Sequence, residues 1–470
     1  MIKVSYFFKN LVYSVNYINL DCSILKVFYV YCVVILQHMK SDVCSSEEEK
    51  LVEYYCKELR NYCSVFNGET LQLNSASTRK TESGLKCIVG KIFLPQGYPD
   101  SVTEDYFDYQ CWDSLQAFCS SVTSAFALHA VFKAVGVGDE SASLLAATVV
   151  WLLRNGVGMM SQIIFAWFCA GHLDSDCKSW RFVADVLNDC SIFLDLIAPL
   201  SESTFIYVAC LANVCRSIVG VAGGATRAAI TQHQSRRHNM ADVAAKDSSQ
   251  ETMVNLIALG FNLALLPLVA HHVLLVWTLF LMFTFMHIYA NYRAIRALKF
   301  ATLNEKRFRM LVQSFINDKT NAKMGVDMVN CQESLVPFAL TNFISDSISL
   351  GTSLIHRRNL KLHCFHKADQ YFIFVYQKLD GTLQIDISLS VESENATILE
   401  AYFKAEYFLL KFHDCMDARE KDSIFSEALA IFPSFYITME KLGWLTDKLN
   451  FIIDDWRWKI FSEDSTASTV

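Results

Sequence analysis

Residues 253–291 run for 39 positions without an Asp, Glu, Lys or Arg. As one straight helix the stretch would measure about 58 Å at ~1.5 Å per residue, against a hydrocarbon core of about 30 Å. Pro267 and the pair His271–His272 break it near its centre, so two antiparallel spans fit better than one. The composition agrees: 53% of the 470 residues are hydrophobic and 19% are charged, where soluble chains average about 45–50% and about 25%.

From Ser120 to Tyr292 the chain is helical in pattern and poor in charge. Candidate spans lie at 120–138, 144–170, 182–199, 204–226, 253–270 and 273–291. Arg216 alone interrupts the fourth. Lys133 sits in the first, Arg154 in the second, and Asp185, Asp189 and Asp195 in the third. Gly156, Gly158, Gly220 and Gly224 would let helices approach closely. The expected fold is mainly α: a polytopic membrane helical bundle of about 4–6 spans, then a small soluble α+β C-terminal domain. Some spans are read as re-entrant or packed inside the bundle. The alternative is a large soluble all-α core, whose buried helices are also apolar all round.

Two basic clusters orient the spans. Arg227, Arg236, Arg237 and Lys246 lie between the fourth and fifth, and Arg293, Arg296, Lys299, Lys306, Arg307 and Arg309 follow the sixth. Two spans separate them, so both can face the cytoplasmic (or equivalent) side, with the C-terminal domain beside them. The expected location is an intracellular or organellar membrane, and the lipid bilayer is the first partner.

The N-terminal 1–89 reads as an extension. Lys3 and Lys9 precede the apolar run Val27–Leu36, and Met39 follows it. Residues 1–38 therefore read as a signal-anchor, a short interfacial or core helix, or a gene-model extension ahead of Met39. Residues 46–60 read as a solvated amphipathic helix and 66–85 as a loop. At the other end, 321–355 reads as a linker with short helices and 356–470 as the α+β domain. Tyr371–Lys378 and Leu383–Val391, joined at Asp380–Gly381, predict a β-hairpin. Helices are expected at 395–418, 421–442 and 444–460, with Asn395 or Thr397 as N-cap. Asn395-Ala396-Thr397 also spells a glycosylation sequon, read as a chance match. Trp444, Trp456, Trp458 and Phe461 read as core. The hairpin edge is the expected surface for a protein partner or for self-association.

Reaction signatures are missing. No phosphate loop, dinucleotide fingerprint, nucleophile elbow or zinc-protease motif occurs. Gly136-Val137-Gly138-Asp139 reads as a helix-ending loop. The 16 cysteines contain no CxxC pair and read as free thiols. His363-Cys364-x-His366 lacks a fourth ligand nearby, so no metal is expected. No cofactor is expected either, and a net charge of −7 gives no reason to expect nucleic acid. The chain is read as non-enzymatic.

One polar constellation stands out at 171–195. Asp185 and Asp189 are four apart and share a helix face, as do Asn188 and Asp195, seven apart. Asp174, Asp176, Lys178 and Arg181 precede them, and Arg154 is the nearest intramembrane counter-ion in sequence order. Arg154, Asp174, Lys178, Arg181, Asp185 and Asp189 form the candidate functional cluster, for a proton, a solute or an anionic ligand. The plainer reading is an ion-paired helix facing solvent.

At Ile92–Asp195 the residues become specific. FLPQGYPDSVTEDYFDYQCWDSLQAFCSS (93–121), GVGDESAS (136–143), WLLRNGVGMMSQIIFAW (151–167) and LDSDCKSWRFVADVLND (173–189) occur in order. SIVGVAGGATRAAITQHQSRRHNMADVAAKDSSQET (217–252) and LNEKRF (303–308) follow. The series resembles the root UV-B sensitive (RUS) family, long catalogued as a domain of unknown function. Its domain would cover about 90–320 here, followed by a separate C-terminal domain. Matching motif positions include Gly97, Tyr98, Pro99, Tyr109, Gln110, Trp112, Asp113, Gln116 and Trp180, besides the polar cluster. Asn155 stands where many members carry Asp. The resemblance implies a membrane-associated protein; plant members are linked to UV-B response, auxin distribution and vitamin B6 homeostasis. It carries over no catalytic residue. Residues 1–40 hold Lys but no Arg and few Ser, unlike a plastid transit peptide, so an animal-type member is expected. The resulting reading is a carrier-like or scaffold membrane protein; the alternative is a vitamin B6-handling enzyme with a soluble helical core, using Lys178 or Lys133 as the Schiff-base lysine.

If the spans are real, a tagged chain expressed from Met39 stays in the membrane pellet after alkaline carbonate extraction and needs detergent for release. Release by carbonate would mean a soluble helical core.

Overall fold

The computed structural model describes residues 50–55, 58–66, 70–75, 84–135, 144–201, 203–269, 271–317, 324–335, 348–355, 361–378, 382–412 and 418–460. The readings of residues 1–38, Gly136–Asp139 and Phe461 lie outside these. The chain divides into two compact units, Met1–His129 with Thr231–Ala290, and Ala130–Ile230 with Asn291–Val470.

The first unit opens with β1 (Lys50–Tyr55), β2 (Glu58–Phe66) and β3 (Thr70–Ser75), an antiparallel sheet in the order β1-β2-β3. Where a helix was expected over 46–60 and a loop over 66–85, the described residues up to Ser75 are thus strands. Val52, Tyr54, Tyr55, Tyr62, Val65 and Phe66 supply the β-branched and aromatic bias that outweighs the charge pattern. Helix α1 (Gly84–Phe93) follows. The body of the unit is α2 (Tyr106–Val135), α6 (Met240–Val269) and α7 (Val273–Ala297). Gln110 bonds Asp247 and Asn262 bonds the Ser121 carbonyl, so α2 and α6 run parallel. Trp112 meets Tyr289 and Phe118 meets Phe283, so α7 runs antiparallel to α2. The α6–α7 turn falls where Pro267 and His271–His272 foretold it.

The second unit is built on α3 (Leu144–Ser175), α4 (Cys177–Ile197) and α5 (Phe205–Gln234, whose last turn belongs to the first unit). Phe165 packs on Trp180, and Cys177 on the Thr226 carbonyl, so α4 runs antiparallel to both neighbours. A Cβ at Gly158 would collide with Asn213 and Ser217 of α5, which makes this glycine a condition of the α3–α5 approach. Gly156 and Gly224, in contrast, face open space.

Among the described residues five helices are long and apolar enough to cross a membrane: Tyr106–Lys133, Thr148–Ser175, Phe205–Gln234, Met240–Val269 and Val273–Ala297. Thr148–Ser175 is the least buried of them, and its Leu152, Ile163, Trp167 and Phe168 present an exposed apolar surface. The span expected at 182–199 is not among the five. It is α4, and Lys178, Asp185, Asp189 and Asp195 are buried along it. The span expected to begin at Ser120 begins at Tyr106.

The C-terminal part of this unit is α+β. Strands β4 (Thr302–Leu303) and β9 (Leu445–Leu449) pair in parallel. Strands β6 (Lys361–Lys367), β7 (Tyr371–Gln377), β8 (Leu383–Ser390) and β10 (Arg457–Trp458) form the main sheet in the order β10-β8-β7-β6, with β5 (Ile348–Leu350) also on β8. The β7–β8 hairpin is as expected. Its strands are not edges, however: β6 covers β7, and β5 and β10 cover β8. The helix expected at 444–460 is corrected to β9 and β10; Trp444 is buried and ties its indole N–H to the Met324 carbonyl, while Trp456 is exposed. Helices α8 (Glu305–Asn317), α9 (Val326–Gln332), α10 (Asn395–Lys411) and α11 (Ala418–Lys441) complete it. Glu394, not Asn395 or Thr397, is the N-cap of α10. Phe308 is fully buried with its ring 5.6 Å from those of Tyr402, Phe435 and Phe451, and this aromatic knot is the middle of the core. Met324, Val329, Ile348 and Leu350, from the segment read as a linker, belong to the same core.

Candidate functional site

The charged residues of α4 fall into two groups at its two ends. At the far end Asp195 lies between two arginines. Arg154 Nη2 of α3 is 3.0 Å from both of its carboxylate oxygens, and Arg216 Nη2 of α5 is 2.6 Å from Oδ2. Arg154 and Asp195 are buried; the Arg216 side chain is 42% exposed. Asn213 of α5 donates to the Arg154 carbonyl at 2.8 Å. Arg154 and Arg216 sit inside two of the apolar spans, so this is a charged triad in apolar surroundings, with two guanidinium groups to one carboxylate. Each charge there is tolerable only because it is paired.

The near end is the joint between α3 and α4. Lys178 is 2% exposed. Its ammonium donates to the Leu298 carbonyl at 2.8 Å and to Asn330 Oδ1 at 2.7 Å, and lies 3.4 Å from Glu333 Oε2. Arg307 Nε donates to the same oxygen at 3.0 Å, and Asn304 Nδ2 to Glu333 Oε1 at 3.2 Å. Lys178 and Arg307 both lie over the Phe300 ring, at 5.7 and 5.0 Å. Lys306 reaches Asp176 at 3.1 Å, and Asn304 holds the Ser175 carbonyl at 2.7 Å. One buried carboxylate therefore serves two buried cations, and α8 and α9 supply most of the partners.

Burial pulls the Lys178 ammonium down to about 8; the Glu333 charge opposes this and Arg307 adds to it. At Glu333 burial works upward, but Arg307 and Lys178 overcome it and hold the carboxyl at about 2. Burial also pushes the Cys177 thiol up to about 12, which keeps it protonated and inert.

The structure does not gather the six expected residues into one cluster. Arg154 pairs with Asp195, not with Asp185 or Asp189. Lys178 belongs to the joint, and Asp174 is beside it, its carbonyl 3.5 Å from Asn450 Nδ2. Arg181 and Asp185 form their own pair within α4 at 3.7 Å. Asp189 is buried one turn further on. Of the motif residues, Gly97 has a φ of 80° and Tyr98–Pro99 is a cis peptide. The Tyr109 hydroxyl donates to Asp113 at 3.3 Å, Gln110 donates to Asp247 at 3.0 Å, and Gln116 is buried in the same helix. Trp112 packs on Tyr289 and Trp180 on Phe165. His363 and His366 of the suspected metal motif lie against Phe412 and Phe425. Among the described residues no three His, Cys, Asp or Glu side chains converge as metal ligands.

Sequence reasoning missed Arg216, Arg307 and Asn304 as partners and missed Glu333 and Asn330 altogether. Arg216 had a signal: it is the only charge in 204–226. Arg154 and Asp195 also lie at similar distances from the joint at Asp176, so an antiparallel α3–α4 pair sets them opposite each other. Glu333 had none, because nothing local connects it to Lys178.

Residues 79–319 match the family model described as the vitamin B6 photo-protection and homoeostasis domain. RUS family member 1 of Dictyostelium discoideum is 43% identical over 251 residues, which are 53% of this chain and 48% of that one; the chain thus spans about half of that relative. Protein root UVB sensitive 3 of Arabidopsis thaliana is 34% identical over 391 residues, 80% of this chain and 87% of that one. Protein root UVB sensitive 2, chloroplastic, of the same plant is 26% identical over 361 residues, 76% and 81% of the two chains. No solved structure matches.

Glu333→Gln leaves two buried cations without their carboxylate and is expected to cost about 3–5 kcal/mol, read by thermal unfolding in detergent. Lys178→Met keeps the Arg307–Glu333 pair and is milder. The unfolded chain holds the Lys178 proton to a higher pH than the folded one, so wild-type stability relative to Lys178→Met rises from about pH 8 towards the ordinary lysine value of 10.5. The stability from Glu333 is complete above its ordinary value of 4.5 and lost as pH falls towards about 2. A Glu333→Gln protein as stable as wild type contradicts this account of the joint.

Proposed function

The chain belongs to the root UV-B sensitive family, and from that premise we propose that it is a membrane carrier for small anionic solutes and catalyses no reaction itself. The observation that carries the proposal is the Arg154–Asp195–Arg216 triad. A pair of charges could serve packing alone. A second guanidinium, half-exposed and sharing the same carboxylate, leaves the group one positive charge in excess within apolar helices. An anion that displaces Asp195 from Arg216 would find a charge already in place. The family model's description names vitamin B6, and phosphorylated B6 vitamers are small anions.

Orientation is part of the proposal. Arg236 and Arg237 lie between α5 and α6, and Lys299, Lys306, Arg307 and Arg309 follow α7, two helices later. The positive-inside rule favours the cytoplasmic-equivalent side for both, and for the C-terminal α+β part with them.

In proteoliposomes the wild-type chain is expected to take up pyridoxal 5′-phosphate and to discriminate against uncharged pyridoxine. Arg216→Gln, at a half-exposed side chain, should fold and insert yet lose at least about tenfold in uptake, the effect of one charge-assisted contact. Uptake by Arg216→Gln at the wild-type rate, or none by inserted wild type, removes the carrier reading and leaves a scaffold. For orientation, a protease added outside sealed right-side-out membranes should leave a C-terminal tag intact; digestion there reverses the assignment.

A further inference from the structure

In the first unit residues 96–105 cross residues 233–242 at the start of α6. Backbone bonds hold the crossing: the Thr103 N–H donates to the Gln234 carbonyl at 3.1 Å and the Arg236 N–H to the Ser101 carbonyl at 3.2 Å. The Gln96 N–H donates to Asp242 in the first turn of α6 at 2.7 Å. Nearby, His233 and Thr103 occupy the buried Asp105 carboxylate, at 2.8 Å for His233.

Several donors at this crossing are not used by the fold. Ser101 is 1% exposed and Gln234 2%, yet among the described residues neither the Ser101 hydroxyl nor Gln234 Nε2 has a hydrogen-bond partner. Asn239 Nδ2 is buried and equally unmatched, while its Oδ1 is taken by Ser235 and by the Arg237 N–H. Buried donors left unmatched are costly, so three at one backbone crossing call for an acceptor.

The Ser101 hydroxyl and the Arg237 guanidinium flank one spot. A Cβ on Gly97 would stand 3.8 Å from Ser101 Oγ and 3.2 Å from Arg237 Nη1. Gly97 adopts a φ of 80°, where glycine is at ease, and an added side chain there would crowd the Arg237 guanidinium. Among the described residues no carboxylate pairs with Arg236 or Arg237. Asp242 is engaged by Gln96 and Asp105 by His233; Asp100 is exposed. The 30-residue helix α6 begins at Met240 and adds the positive end of its dipole.

Every unmatched atom here can donate, and a guanidinium stands beside them. The matching ligand is acceptor-only, anionic and rich in oxygen. We propose that the crossing of residues 97–102 with 234–239 binds a phosphate group. The phosphate has two sources. A groove of about 340 Å³, lined by Ile92, Phe93, Ala245, Thr252, Met253 and Leu256, begins little more than a turn along α6 and could take the chain of a phospholipid. A soluble phosphomonoester offers the same oxygens without a chain. The site is independent of the Arg154–Asp195–Arg216 triad and of the carrier proposal.

The test uses the full chain in a maltoside detergent and phosphate-free buffer. The thermal midpoint is followed against inorganic phosphate, and separately against short-chain phosphatidic acid, with chloride matching ionic strength. Saturable stabilisation is expected. A response to phosphatidic acid alone assigns a lipid headgroup; a response to both probes assigns a free phosphate ligand. Arg237→Gln and Ser101→Ala should each weaken the binding by at least about tenfold, the loss of one charge-assisted or buried contact, and Lys441→Gln should leave it unchanged. The proposal is overturned if folded wild type responds to neither probe, or if both site variants respond as wild type does.

Discussion

A charge removed from water must be matched where it stands, and most of this chain's second unit is arranged around that requirement. Glu333 is the clearest case. Two cations from different segments, Lys178 and Arg307, converge on its carboxylate; Asn304 also donates to that carboxylate, and Asn330 accepts from Lys178. Burial pulls the Lys178 ammonium down, and Glu333, shared with Arg307, does not offset it; at Glu333 burial pushes upward, and the two cations outweigh it. Asp195 repeats the scheme at the other end of α4, with Arg154 and Arg216 in place of Lys178 and Arg307. A helix with four buried ionisable side chains can lie among apolar neighbours because each end meets its counter-charges.

The apolar helices were legible because their signal is local. The charge-free run at 253–291 divides into α6 and α7 at the proline and histidines that mark it, and Arg216 interrupts a single helix without ending it. α4 was recognised as a helix and misjudged as a span. Its sequence mixes apolar residues with carboxylates, and only the packing shows that protein rather than lipid or water surrounds the carboxylates. The strands at 50–75 and 444–460 were missed for a different reason. Each is short, and β4 and β9 take their pairing partner from the opposite end of the C-terminal part, beyond the reach of any window on the sequence.

The candidate site was half visible. The residue types and the helix carrying them could be read, because ionisable side chains in an apolar stretch are conspicuous. Their pairing could not. Arg154 meets Asp195 through the geometry of an antiparallel helix pair, and Lys178 meets Glu333 through tertiary folding alone. The family motifs mark a third kind of position. Gly97 and Tyr98–Pro99 shape a backbone crossing, and Trp112 and Trp180 fill helix contacts. Arg154 is a motif position as well and belongs to the charged triad, so the motifs mark backbone shape, packing and charge alike.

The distance along the chain between Lys178 and its partners also sets an order of events during synthesis. Asn330 follows Lys178 by 152 residues. At about 5–20 residues per second a ribosome needs roughly 8–30 s to produce it. For that interval the start of α4 carries an ammonium whose side-chain partners Asn330 and Glu333 do not yet exist, so it must stay in contact with water or with the translocation machinery. The α3–α4 joint can close only after the ribosome has passed Glu333. The last apolar helix, α7, has by then already been made, and the membrane part of this protein is finished from outside the bilayer.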